Sequence, residues 1–115
     1  MRNKNSHVVN IKRKLSKCNK VFVAFNELQL KYGETLENNE EIIDIRFNVE
    51  LTGFELGNNF TTDFLCTKRD GEMLVRECVY RKNLLKPAVI RMLDASRNYW
   101  KSRGIDNWGI VLDAE

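Results

Sequence analysis

The sequence predicts a single α/β domain in which helices flank a mixed β-sheet. Three observations support this prediction. The chain has 115 residues, 43% of them hydrophobic, which is enough for one core. Three β-rich segments lie between two segments with helical periodicity. A short apolar run follows the second helical segment, so the predicted element order is α-β-β-β-α-β.

The first helix is predicted near residues 26–37. Asn26 is a suitable N-cap, and Glu27 places a negative charge in the first turn, where a helix dipole favours it. Apolar residues then recur at helical spacing: Leu28, Tyr32 and Leu36.

A strand and a β-hairpin are predicted next. Residues 42–49 (IIDIRFNV) alternate in polarity, and residues 51–59 hold two Gly and two Asn, which is typical of a loop. Residues 60–81 contain two β-rich runs around a polar turn at residues 68–71. This hairpin is the centre of the predicted sheet.

The second helix is predicted to begin at Pro87 and to end at Gly104. Residues 108–112 (WGIVL) then form a buried strand, and a right-handed crossover places it parallel to the second hairpin strand. The aromatic residues of this region are assigned to the core, the alternative being a recognition surface: Tyr99, Trp100 and Trp108.

Composition excludes several classes of protein. No apolar run approaches the length of a membrane span, and residues 1–10 lack the apolar segment of a secretory signal. We therefore expect a cytoplasmic protein with no membrane partner. Cys18, Cys66 and Cys78 have no CxxC spacing and the single histidine is His7, so neither a zinc site nor thiol catalysis is expected.

Charge is distributed unevenly along the chain. Residues 1–20 hold seven basic residues and no acid, so we assign them to a basic N-terminal arm that precedes one domain, residues 21–115. Residues 21–57 hold eight acids against two basic residues, whereas residues 68–103 hold ten basic residues against four acids. This asymmetry favours a polyanion such as DNA, although solvated surface charge explains a net charge of +3 equally well.

Three acids can converge in this arrangement: Glu27 on the first helix, and Asp63 and Glu77 on the two hairpin strands. Carboxylate oxygens suit Mg²⁺ or Mn²⁺, with water and a substrate phosphate completing the shell. Such an ion polarises a phosphate and lowers the pKa of a bound water, so the pattern indicates metal-assisted phosphodiester hydrolysis. Ordinary surface acids are the alternative explanation.

A nuclease also needs cations that hold the DNA backbone. The basic arm and the start of the second helix supply them. The residues expected to bind DNA are Lys12, Arg13, Lys14, Lys17, Lys86 and Arg91.

Three segments together resemble the N-terminal catalytic domain of TnsA, the endonuclease subunit of heteromeric transposases: FTTDFLCT, ENNEEIIDIRFNVEL and NYWKSRGIDNWGIVLDAE. The resemblance extends from about Val8 to the C-terminus. It implies a restriction-endonuclease-like fold of the PD-(D/E)xK type and a DNA endonuclease that depends on Mg²⁺ or Mn²⁺. Matched by motif, the implied metal ligands are Glu27 in AFNELQL, Asp63 in TTDF and Glu77 in VRECVYR.

One position departs from the family motif. Val79 stands where the family pattern has Lys. Arg81 is expected on the same face of the strand, and it and Lys82 are the candidate cations that replace the missing Lys in orienting a phosphate. The loss of this Lys is equally consistent with a domain that binds DNA or a protein partner without cleaving.

The resemblance also implies partners. TnsA-type subunits cut the 5′-ended strands at transposon termini beside an integrase-like transposase and under an ATPase regulator. We therefore expect DNA and an integrase-like transposase as partners. The regulator is contacted through a C-terminal domain that the three matched segments do not include.

Overall fold

The structure is a computed structural model that describes residues 10–52 and 60–114. Within these residues it is a mixed α/β structure with two helices and two sheets. Its Cα radius of gyration of 13.5 Å is that of a compact domain of this size. The elements in chain order are β1 (Ile11–Arg13), β2 (Phe22–Ala24), α1 (Glu27–Glu37), β3 (Ile42–Glu50), β4 (Thr61–Lys68), β5 (Met73–Val79), the 3₁₀ turn η1 (Arg81–Asn83), α2 (Pro87–Ser102) and β6 (Asn107–Leu112).

Two short strands precede the six elements that the sequence predicts. The order α-β-β-β-α-β therefore describes the chain only from α1 onward. The loop predicted over residues 51–59 lies mostly outside the described residues, as do residues 1–9 of the predicted arm.

The described part of the predicted arm, residues 10–20, is folded against the domain. Its strand β1 pairs antiparallel with β2, with Ile11 opposite Ala24. Leu15 is buried in the core, and the backbone N–H groups of Ser16 and Lys17 donate to the carboxylate of Glu37 at 2.9 and 3.2 Å. One distant carboxylate thus holds a segment whose own sequence has little apolar periodicity.

The main sheet has the strand order β3-β4-β5-β6. The first three strands form an antiparallel meander, and β6 runs parallel to β5 with Val75 opposite Trp108. This confirms the predicted hairpin and the parallel last strand. The hairpin turn closes through a 2.7 Å bond from the N–H of Lys68 to the carbonyl of Glu72, and Gly71 takes a φ of +94° that other residues rarely adopt.

Both helix starts are as predicted. The side chain of Asn26 accepts a hydrogen bond from the N–H of Gln29 at 2.8 Å, which satisfies one open donor of the first turn of α1. Pro87 opens α2, where its missing N–H costs nothing. Gly104 follows the end of α2 with a φ of +84°.

Alternate residues of the central strands supply two apolar cores, one on each face of the sheet. Phe64 and Cys66 of β4 belong to the core beneath α1, whereas Leu65 belongs to the core beneath α2. Trp100 is buried in the second core, and Tyr99 and Trp108 pack against it, which favours the core assignment of these aromatic residues. No helix in residues 10–52 or 60–114 has the length and apolarity needed to cross a membrane.

The cysteines behave as structural thiols. All three lie within the described residues and none forms a disulfide. Cys66 and Cys78 are buried. Burial raises the pKa of Cys66 to about 12 and that of Cys18 to about 11, so neither thiol ionises near neutral pH.

Replacing Gly33 tests the contact between α1 and the sheet. A Cβ at this position lies 2.8 Å from the ring of Phe22, which is fully buried and cannot move aside. We expect Gly33→Ala to lower the free energy of unfolding by about 1 to 2 kcal/mol, because the clash outweighs the helix propensity of Ala. Urea denaturation measures the change. Lys31→Ala on the exposed side of α1 is the control, and equal stability of the two variants would contradict the close contact.

Candidate functional site

Two acids link β4 and β5 where their backbone pairing stops. The pairing ends with Phe64 opposite Arg76. Beyond it the N–H of Asp63 donates to Oε1 of Glu77 at 3.0 Å, and the N–H of Cys78 donates to Oδ2 of Asp63 at 2.8 Å. The two carboxylates therefore replace backbone acceptors between the strands. Asp63 is 1% exposed and Glu77 is fully buried.

Hydroxyl groups complete the surroundings of the Glu77 carboxylate. Its Oε2 accepts hydrogen bonds from the hydroxyls of Thr62 and Ser96 at 2.9 and 2.7 Å. The indole N–H of Trp100 donates to the Thr62 hydroxyl at 2.8 Å, and that of Trp108 donates to the Ser96 hydroxyl at 3.1 Å. Because each hydroxyl oxygen accepts from an indole, its proton is directed at Glu77. We call these six residues the acid network: Thr62, Asp63, Glu77, Ser96, Trp100 and Trp108.

The residues of this network fall on four different elements: β4, β5, α2 and β6. Thr62 is on β4, Ser96 on α2 and Trp108 on β6, so periodicity within one element does not predict that they meet. The sequence does contain one signal, which is Ser96 on the otherwise apolar side of α2. A buried serine on an apolar helix face requires a polar partner.

The surroundings of Glu77 favour its neutral form. Burial raises the pKa of Glu77 from 4.5 to about 7, and the negative charge of Asp63 adds to the increase, while the hydrogen bond from Ser96 opposes it. A carboxyl group that titrates near neutral pH inside a protein is typical of a functional site, although buried structural networks also produce such shifts.

A partly buried amide, Asn48, lies next to the acids in the sheet. The register places Asn48 between the pairs Phe47–Phe64 and Val49–Thr62, directly opposite Asp63. Asn48 has a φ of +49°, and its side chain accepts from Gln29 at 2.8 Å and donates to the carbonyl of Val23 at 2.9 Å. Gln29 is fully buried and also accepts from the N–H of Phe25 at 2.8 Å. These amides join α1, β2 and β3 beside the acid network.

Glu27 does not join Asp63 and Glu77. It is exposed at the first residue of α1, where it follows the N-cap. In residues 10–52 and 60–114 no group of three or more His, Cys, Asp or Glu is placed to hold a metal ion. Of the three acids expected to form one site, Asp63 and Glu77 thus lie together, whereas Glu27 lies apart from them.

The acid pair matches a metal ion in donor type but not in arrangement. Mg²⁺ prefers carboxylate oxygens and needs only one or two protein carboxylates. Both oxygens of Glu77 and Oδ2 of Asp63, however, accept hydrogen bonds from protein groups. In this arrangement the pair does not fit a metal ion.

The predicted position of Arg81, on the same strand face as Glu77 and Val79, is wrong. Val79 is the last residue of β5 and is 5% exposed. Arg81 does not continue the strand but begins η1, and its N–H and Nε donate to the carboxylate and carbonyl of Asp113 at 2.6 and 2.7 Å. Lys82 is exposed on η1. Arg81 therefore fastens η1 to the end of β6.

The six predicted DNA-binding cations differ in their surroundings. Lys17 donates to the carbonyls of Leu36 and Asn39 at 3.2 and 2.7 Å, so it caps the C-terminal end of α1. Arg13 forms an exposed ion pair with Glu34 at 3.8 Å. The other four are exposed, and within the described part of the chain no carboxylate lies within ion-pair distance of them: Lys12, Lys14, Lys86 and Arg91.

No protein-family model matches this chain, and no curated protein matches it.

The raised pKa of Glu77 predicts how stability varies with pH. In the unfolded chain Glu77 ionises near pH 4.5, whereas in the folded protein it keeps its proton to about pH 7, so the free energy of unfolding falls as pH rises between these values. The rise in the pKa of Glu77 from 4.5 to about 7 corresponds to about 3 kcal/mol. We expect Glu77→Gln to remove most of this fall, as measured by urea denaturation at pH 5, 6, 7 and 8.

The matched control is Glu40→Gln, which changes an exposed glutamate. It is expected to keep the pH profile of the unchanged protein. The other titratable groups contribute equally to the free energy of unfolding of all three proteins, so their contribution cancels in the comparison. Parallel profiles for Glu77→Gln and Glu40→Gln would show that Glu77 is ionised in the folded protein at pH 5.

Proposed function

We propose that this chain is a DNA-binding domain with a restriction-endonuclease-like fold, similar to the N-terminal domain of TnsA, which acts in a heteromeric transposase without cleaving DNA itself. The order of elements from α1 onward and the motif resemblance support the fold. Asp63 and Glu77 lie on adjacent strands, as the motif requires.

The proposal that the domain does not cleave DNA rests on the surroundings of Val79. Phosphodiester hydrolysis needs a cation that stabilises the charge developing on the phosphate. The position that the motif gives to this cation holds a buried valine, and Arg81 is bound to Asp113 on a different element. The carboxylates nearby are used as hydrogen-bond acceptors within the protein.

Exposed cations support DNA as the ligand. Lys12 and Lys14 lie at β1, and Lys82, Lys86 and Arg91 lie along η1 and the start of α2. Within residues 10–52 and 60–114 no carboxylate lies within ion-pair distance of these cations, so they are available to phosphates, and each such contact releases a counterion and strengthens binding. The resemblance to TnsA further implies that this DNA is a transposon end and that the partners in the cytoplasm are an integrase-like transposase and an ATPase regulator.

A second candidate function is metal-dependent cleavage of DNA. It is favoured by the contact between Asp63 and Glu77 and by the raised pKa of Glu77. For this function Asp63 and Glu77 have to give up hydrogen bonds within the protein in order to bind Mg²⁺ or Mn²⁺. In addition, Glu27 has to move towards them, or metal binding has to occur without it. The two candidates depend on different residues, exposed cations for binding and the acid pair for cleavage, so separate variants test them.

DNA binding is tested by fluorescence anisotropy with a labelled duplex over a range of salt concentrations. We expect the double variant Lys86→Glu/Arg91→Glu to bind about tenfold or more weakly, and the slope of log K against log[salt] to fall by about 2, because two phosphate contacts are lost. Lys31→Glu on α1 is the control. Equal affinity of the double variant and the control would refute DNA binding at α2.

Cleavage is tested by incubating supercoiled plasmid with Mn²⁺ or Mg²⁺ and the purified protein. We expect no nicking above background, and no difference between the unchanged protein and Asp63→Asn. Nicking that depends on the metal, disappears in Asp63→Asn and persists in the exposed-site control Asp106→Asn would establish the second candidate instead. Nicking gained only in Val79→Lys would show that the missing Lys is what prevents cleavage.

A further inference from the structure

One apolar side chain is far more exposed than the others in the described part of the chain. Leu85 is 82% exposed, whereas the next most exposed large apolar residue, Val21, is 52% exposed. A leucine that stays fully exposed lacks the stabilisation of about 1.5 to 3 kcal/mol that burial of its side chain would give. A single exposed leucine is common at protein surfaces, so its surroundings decide whether it has a role.

The backbone around Leu85 is held by hydrogen bonds. The N–H of Leu84 donates to the carbonyl of Arg81 at 3.2 Å, and the N–H of Lys86 donates to the carbonyl of Asn83 at 3.1 Å. Pro87 then fixes the first turn of α2. Leu85 is therefore presented on a closed turn between two helical segments.

The residues around this turn are positively charged. Residues 81–93 contain four basic residues and no acid. Lys82, Lys86 and Arg91 are exposed, and no ion pair with any of them occurs among the described residues. Ile90 is 43% exposed and lies one helical turn after Lys86. We call Lys82, Leu85, Lys86, Ile90 and Arg91 the wedge surface.

We propose that Leu85 inserts between two base pairs in the minor groove of duplex DNA, while Lys82, Lys86 and Arg91 contact the flanking phosphates. This inference rests on the proposed DNA-binding function and adds that the DNA is bent at the insertion. Minor-groove proteins combine an apolar wedge with surrounding cations in this way, and the unstacking energy is recovered from the contacts that the bend permits.

DNA fits the wedge surface better than a protein partner does. A stable protein interface requires a broad apolar centre, whereas residues 82–91 expose two large apolar side chains and three cations, for which no ion pair is found among the described residues. That charge distribution complements phosphates on both sides of an insertion point. Insertion further predicts a preference for DNA that unstacks readily, such as a TA step or a mismatch, over a stiff A-tract.

The test compares Leu85→Ala with the unchanged protein on three 30-bp duplexes that carry a central mismatch, a TA step or an A-tract. Anisotropy gives the dissociation constants, and energy transfer between dyes at the two ends reports bending. We expect the unchanged protein to prefer the mismatch over the A-tract by about tenfold and to shorten the end-to-end distance. Leu85→Ala should bind all three within about twofold and leave the DNA straight.

The salt slope of Leu85→Ala should match that of the unchanged protein, because the phosphate contacts remain. Ile43→Ala is the matched control, since Ile43 is 49% exposed on β3 among acidic residues, and it should keep both the preference and the bending. Because Leu85 and Ile43 are exposed, both variants are expected to fold, as thermal melting checks.

The outcomes distinguish the wedge from the proposed function. DNA binding with the same duplex preference and bending in Leu85→Ala overturns the wedge and leaves the proposed function standing. No DNA binding by the unchanged protein overturns both. Binding to anionic phospholipid vesicles that is lost in Leu85→Ala, with DNA bending unaffected, would assign the surface to a membrane and overturn the wedge.

Discussion

The fold depends on how one buried carboxyl group is satisfied. Glu77 is fully buried at the centre of the sheet, where an unpaired charge costs several kcal/mol. Two hydroxyls and one backbone N–H donate to it. One of these donors, Ser96, belongs to α2, so the same contacts that make Glu77 tolerable also fasten the helix to the sheet. A partly satisfied network of this kind is less stable than an apolar core, so its members have to be in place together.

Asn48, Asp63 and Glu77 occupy neighbouring positions on three adjacent strands, so a polar layer crosses the sheet at one level. On the α1 side Asn48 extends this layer to Gln29 and to the backbone of β2, and on the α2 side the layer continues through the hydroxyl groups to two indoles. The strands are joined by side chains here, and Asn48 takes a strained positive φ. Elsewhere the two cores are apolar. Several departures from regular strand structure at one level of a sheet are typical of a functional or strained region.

The sequence predicted what depends on local pattern. The hairpin, the N-cap Asn26, the start of α2 and the meeting of Asp63 with Glu77 follow from alternation, capping preference and strand pairing. The position of Glu27 away from Asp63 and Glu77 does not follow from local pattern, because it depends on how α1 is rotated and placed on the sheet. The position of Arg81 was mistaken because β5 ends two residues earlier, where Tyr80 leads into a 3₁₀ turn. The folding of residues 10–20 rests on Glu37, twenty residues away, which no local pattern reveals.

The second helix links the acid network to the surface that is proposed to bind DNA. Its inner face carries Ser96 and Trp100, which belong to the acid network, and its outer face carries Arg91. The turn that exposes Leu85 directly precedes this helix. Arg81 fastens the other end of that turn to β6 through Asp113. The segment proposed to contact DNA is thus held at both ends by polar contacts to the central sheet. On the proposal that the domain binds DNA without cleaving it, the role of Asp63 and Glu77 is to hold α2, and with it this surface, in a fixed orientation on the sheet.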